Sequence, residues 1–195
     1  MTLLYRVFGY DAGATDSSKS GHPLFLHKPQ AGGRLDNNDR YGLWYFALTP
    51  EAAVGEVFGN LDKFTDDMFL RDYMPHGRQV LGTYSIDEDE YSFLDLDDPN
   101  NLKDRALRPT QIVARNRATT QAWALKIFEE RRTDGKRKWA GVRWWSFQRP
   151  NWVVFGLWVE PGEDLPFTYI EHQDLNLNHA AVVAAADALT KEVVP

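Results

Sequence analysis

The chain has 195 residues, enough for one domain with a sizeable core. A composition that is 43% hydrophobic, 26% charged and 13% aromatic excludes intrinsic disorder, and the absence of cysteine excludes disulfides, cysteine-ligated zinc and a thiol nucleophile. A net charge of −6 with no long basic tract argues against nucleic-acid binding by bulk electrostatics, and no apolar run approaches the ~20 residues of a membrane span.

The opening MTLLYRVFGY lacks the charged-then-apolar layout of a signal peptide, so a cytoplasmic protein is expected. Leu3–Tyr10 reads as a first strand, with Arg6 interrupting an apolar run as either an edge-strand snorkeller or part of a site. Asp11–Gly33, rich in Gly, Ser, Asp and Pro, is a long connection of the kind that often carries function. A polar Gly-rich turn with Arg34 follows, then a strand at Leu43–Leu48 whose side chains alternate. Trp44, Phe46 and Leu48 share one face; Leu43, Tyr45 and Ala47 share the other. Thr49 can cap the next helix and Pro50 fits its first position. In that helix Val54, Val57, Phe58 and Leu61 form an apolar stripe, leaving Glu56 opposite, beside Ala52, Gly55 and Gly59. Two glycines inside a helix cost about 1 kcal/mol each relative to alanine. They make sense if another backbone or a ligand approaches that face; otherwise Glu56 is a solvated surface carboxylate.

Asp62–Gly77 is poorly periodic, and Gln79–Ile86 predicts a strand. Asp87–Asn101 predicts a solvated acidic hairpin with a strand-like core at Tyr91–Leu96, and it lacks the glycine and terminal glutamate of a calcium loop. A helix is expected at Ala118–Arg132, burying Ala122, Leu125, Ile127 and Phe128, with a basic solvated turn at Thr133–Lys138. Strands are expected at Val142–Phe147 and Trp152–Val159, joined by a turn at Gln148–Asn151. Ser146, a small hydroxyl among aromatics, either bonds to a neighbouring group or belongs to a site. The tail reads as loop from Pro161 to Asn178 and then as an Ala-rich helix, His179–Val193.

No phosphate loop, dinucleotide Gly-x-Gly-x-x-Gly or Gly-x-Ser-x-Gly elbow is present, and the histidines at 22, 27, 76, 172 and 179 show no ligand pairing, so no metal is expected. Arg34, Tyr45, Glu56, Ser146 and the outlying Arg6 remain. Together they suit a nucleotide with a cationic leaving group. Arginine forks onto pyrophosphate, tyrosine stacks on a flat ring, and a carboxylate stabilises an oxocarbenium-like centre while serine orients the leaving half. Nothing in the composition forces that ligand.

The segments YRV near the start, GGR at Gly32–Arg34, LWYFALTPEAAVGEV through Glu56, LDL at Leu94–Leu96, TQAWA at Thr120–Ala124 and GVRWWS ending at Ser146 resemble the RES domain family, over roughly Leu4–Phe155. The eleven-residue steps from Arg34 to Tyr45 and from Tyr45 to Glu56 match its pattern. Trp44 and the Trp144–Trp145 pair are bulkier than the aliphatic family pattern, and the Asp11–Gly33 connection and the acidic hairpin stand as local elaborations.

The resemblance implies a single α/β (α+β) domain over 1–195, with a mixed, largely antiparallel sheet similar to the ADP-ribosyltransferase toxins. It further implies a toxin that cleaves NAD+ as substrate, with no other cofactor, at the nicotinamide–ribose bond. Arg34, Glu56 and Ser146 would be catalytic, and Arg6, Arg34 and Tyr45 would bind the nucleotide. The partner implied is an Xre-type helix-turn-helix antitoxin; a homodimer is left open. Transfer of ADP-ribose to a protein and a non-catalytic aromatic binding module are the alternatives.

Overall fold

The alternation at Leu43–Leu48 is realised in a central strand whose two faces feed two separate cores. The protein, described by a computed structural model at residues 1–30, 32–71 and 77–195, has nine strands and five α-helices among those residues. In chain order they are β1 (Thr2–Tyr10), β2 (Gly42–Ala47), α1 (Pro50–Phe58), β3 (Lys63–Thr65), β4 (Arg78–Ile86), β5 (Phe93–Asp95) and α2 (Pro99–Asp104). There follow α3 (Pro109–Ile112), α4 (Arg117–Phe128), β6 (Gly141–Trp145), β7 (Val153–Val159), β8 (Thr168–Asp174), α5 (Ala180–Leu189) and β9 (Glu192–Val194). The expected mixed α/β architecture holds. Seven strands form a sheet in the order β5-β6-β7-β2-β1-β4-β8, antiparallel except for the β5–β6 pair, and β3 and β9 form a small parallel sheet.

Leu43 and Ala47 join the larger core, which packs beneath α1, α4 and α5 with Trp123, Phe128, Trp144 and Trp158. Trp44 and Phe46 join the opposite core with Leu4, Tyr84, Phe155 and Phe167, over which Leu24 and Leu26 close. The sheet is nearly divided between these strands. β1 runs in register with β4 over its full length, from Thr2↔Ile86 to Tyr10↔Arg78. Between β1 and β2 the register is a single pair, Tyr5↔Ala47.

Several expectations need correction. The acidic stretch is not a hairpin: β5 lies parallel to β6, pairing Leu94 with Val142, and Asp98 caps α2. The tail is not loop throughout, because β8 adds the sheet's last strand against β4, with a register shift at Thr83/Tyr84. The Ala-rich helix stops at Leu189, where Thr190 takes a left-handed φ of 55°, and the chain re-enters as β9. In α4 the buried face is Thr120, Trp123, Ala124, Ile127 and Phe128, so Ala122 points outward. The unperiodic stretch from Asp62 contains β3 and a 3-10 turn at Asp66–Phe69, while its 72–76 part, His76 included, lies outside the described residues.

Candidate functional site

Thr49 caps α1 as expected, its hydroxyl accepting from Ala52 N–H at 3.4 Å, and Pro50 opens the helix. The burial of the helix is rotated from the predicted stripe. Val57 and Leu61 are about two-fifths exposed, whereas Ala52, Ala53, Val54, Gly55 and Phe58 are buried. The glycines explain the rotation. A Cβ on Gly55 would run into the indole of Trp152, and one on Gly59 would lie 2.7 Å from the Gln148 amide carbon. The β6–β7 turn therefore rests on the Ala/Gly face of α1, and it brings Ser146 with it.

Ser146 is fully buried at the end of β6. Its N–H donates to Trp152 O at 2.7 Å, and its hydroxyl accepts from Gln148 N at 2.9 Å while donating to Glu56 Oε1. Glu56 as a residue is exposed, yet its carboxyl accepts from the buried Ser146 hydroxyl. Burial pushes that carboxyl above its ordinary 4.5, with the Ser146 hydroxyl and the Arg34 guanidinium pulling the other way.

Arg34 occupies a loop clamped from several sides. Its Nη1 donates to Ala114 O at 2.6 Å and Ile112 O at 3.3 Å. Gln121 donates to Gly33 O at 3.0 Å, and Arg117 to Gly32 O at 3.1 Å. Burial and the nearby Arg117 charge lower the Arg34 guanidinium from its usual value, and Glu56 and Tyr45 partly offset this. Asp36, buried in the same turn, accepts from Gly33 N at 2.6 Å and from the Tyr45 hydroxyl at 2.9 Å. Leu35 N donates to that hydroxyl at 2.9 Å. The Tyr45 ring is thus pinned to the Arg34 loop, and burial with Asp36 nearby raises its hydroxyl well above 10.

Tyr45, Glu56 and Arg6 line one cavity of about 230 Å³, with Tyr5, Val7, Ala47, Val57 and Trp144 also in its wall. The cavity sits where β1 and β2 part. Arg6 belongs to the far side of that gap: its guanidinium lies 4.6 Å over the Trp44 ring, and its interactions include the Tyr84 hydroxyl. The five candidates therefore converge in two steps. Glu56 touches Ser146 and feels Arg34, Tyr45 shares its cavity, and Arg6 faces it through the split.

Asp36, Arg117, Gln121, Gln148 and Trp152 escaped sequence reasoning. Gln121 stood within the TQAWA segment, which was the one available signal. Among the described residues no three His, Asp or Glu side chains converge to hold a metal, and no helix is long and apolar enough to cross a membrane. A carboxylate beside a hydroxyl and a cation, facing a tyrosine ring, can stabilise positive charge developing on a sugar carbon.

A family model described as the RES domain matches residues 3–177. The fold is similar to a chain of the M. tuberculosis MbcT–MbcA toxin–antitoxin complex, with a TM-score of 0.57 at 16% identity, covering 97% of this chain and 90% of that one. No curated protein matches the chain.

Proposed function

The chain belongs to the RES domain family, and from that membership we propose that it is a toxin-type enzyme that consumes NAD+ and is held in check by a cognate antitoxin. The observation that carries the reading is the Glu56–Ser146 hydrogen bond at the mouth of the cavity in the split sheet. In NAD+ the nicotinamide is already a cationic leaving group. As its bond to ribose C1′ lengthens, the positive charge passes to the sugar and the nicotinamide leaves neutral. Glu56, ionised and held by Ser146, stabilises that charge in the transition state more than in the ground state. Water or phosphate then adds to C1′; with water, the products are ADP-ribose, nicotinamide and a proton.

Tyr45, its hydroxyl anchored to Asp36, offers its ring to the nicotinamide. Arg34 takes the pyrophosphate through its guanidinium, whose charge burial and Arg117 disfavour and a phosphate would support. An antitoxin segment seated over the split would exclude the substrate. The complex in which the similar fold was solved supports a partner of that kind.

The test is NAD+ remaining over time with purified protein, with and without phosphate, beside Glu56→Gln. Loss of NAD+ in the wild type alone is expected, and phosphate dependence identifies the acceptor. Unchanged NAD+ with phosphate present and no antitoxin bound overturns the reading. Labelled protein bands in place of free ADP-ribose redirect it to protein ADP-ribosylation.

A further inference from the structure

On the reading just given, half of the dinucleotide lacks a seat. The Glu56 cavity, at about 230 Å³, is smaller than the roughly 300–1,000 Å³ that holds a drug-sized ligand, and a dinucleotide is larger still. Arg6 and Val7 also line a second cavity, of about 460 Å³. Its other walls are Phe8 and Gly9 of β1, Arg71, and the segment carrying His22, Phe25 and His27. That segment is part of the long Asp11–Gly33 connection, to which the catalytic reading assigns no task.

Three features of this second cavity suit a nucleotide. Arg6 presents a buried Nη1 with no hydrogen-bond partner among the described residues. Burial lowers its guanidinium from the usual value, and the Tyr84 hydroxyl partly offsets this. No ion pair to Arg6 is formed among the described residues; a buried guanidinium is costly to the fold, and a phosphate supplies both a counter-charge and a forked acceptor. Arg71 brings a second cation to the same space. The rings of Phe25 and His27, 6.4 Å apart and inclined at 66°, form an aromatic corner of the sort on which a base stacks.

We infer that this cavity is a nucleoside-monophosphate subsite: the adenosine-phosphate half of the dinucleotide lies against Phe25 and His27 with its phosphate on Arg6, while the nicotinamide half enters the split toward Glu56. Arg6 is the hinge point of the bound ligand, reached from both cavities. The long connection is then a specificity element, and it makes the enzyme prefer a dinucleotide to nicotinamide mononucleotide.

The experiment compares NAD+ and nicotinamide mononucleotide as substrates for the wild type and for Phe25→Ala/His27→Ala. His27 is exposed and Phe25 half-buried, so the double variant keeps its fold, which a melting curve verifies. The expected result is a KM for NAD+ raised about tenfold or more, with kcat and the mononucleotide KM held within twofold. A parallel change for both substrates, or none for either, overturns the subsite. If the wild type cleaves neither substrate, the catalytic reading fails and titration with AMP decides alone. AMP binding that weakens tenfold in the double variant supports the subsite; absent or unaltered AMP binding refutes it.

Discussion

Gly55→Ala tests whether the seat of the β6–β7 turn on α1 is what places Ser146. Helix propensity alone favours alanine by about 1 kcal/mol. The new Cβ, however, would lie 2.6 Å from Trp152 Cη2, closer still to Cζ3, and 3.3 Å from Cε3. Carbon atoms rest about 3.5–4.0 Å apart, so the indole must retreat by about 1 Å. Trp152 is 5% exposed and its carbonyl holds Ser146 N at 2.7 Å, so the retreat drags the turn. Overpacking of this kind costs about 1–3 kcal/mol, which outweighs the propensity gain by about 1 kcal/mol. Thermal unfolding should therefore show a Tm lower by about 2–4 °C. NAD+ turnover should fall by about tenfold or more, since an ångström of misplacement at a reacting centre can cost 10²-fold. A variant that melts higher than the wild type with full turnover would refute the reasoning, because propensity would have won and the turn would not depend on Gly55.

Glu56→Gln should lower kcat by about 10²-fold or more while raising Tm at pH 7 by on the order of 1–3 °C, a gain kept small by solvent screening at an exposed residue. The sign follows from burial: a carboxyl held above 4.5 favours the fold while protonated, and that benefit is lost as pH rises through its raised value. The Tm gap should close below pH 4.5, and a gap of constant size across pH would count against it. The acid limb of kcat/KM in the wild type should lie above pH 4.5, and a limb at or below that value would show that Glu56 is not the ionised group. Arg34→Ala should raise KM for NAD+ by about tenfold or more with a smaller effect on kcat, and the reverse pattern would assign the arginine to the transition state. Tyr45→Phe keeps the ring but leaves Leu35 N–H without its acceptor, at a cost of about 1–3 kcal/mol read in urea unfolding; an unchanged midpoint would show that the loop does not lean on the hydroxyl.

The elements that were legible in the chain are those with local causes. Thr49–Pro50 announces α1, and the alternation of Trp44 and Phe46 against Leu43 and Tyr45 assigns the two faces of β2 correctly. Leu48 is the exception, 38% exposed just past the strand's end. The strand β8, TYIEHQD, escaped notice because an edge strand with mostly exposed side chains has no apolar alternation to show. The parallel placement of β5 escaped because its partner β6 lies 48 residues on, at Asp95↔Arg143. The site divides in the same way. Its candidate residues stood out in the chain and took their roles from a resemblance, but their supports are distant pairings that no periodicity encodes. Ser146 meets Glu56 across 90 residues, and Arg34 meets Ala114 across 80. The predicted stripe on α1 held at Val54 and Phe58 but not at Val57 and Leu61, because Trp152 and Gln148, far along the chain, cover a flank that looked polar only for want of large side chains.

The lone Tyr5↔Ala47 register pair has a mechanical meaning. Elsewhere in the sheet a strand is stitched to its neighbour by a ladder that opens cooperatively, but here two half-sheets, β5-β6-β7-β2 and β1-β4-β8, are joined along a seam with one stitch. On the proposed function, a ligand lodged there would substitute for the absent ladder, gripping β1 through Arg6 and β2 through Tyr45. Substrate or antitoxin segment, whichever occupied the seam on that proposal, would act as mortar between the halves, and its affinity would reappear as cohesion of the whole sheet.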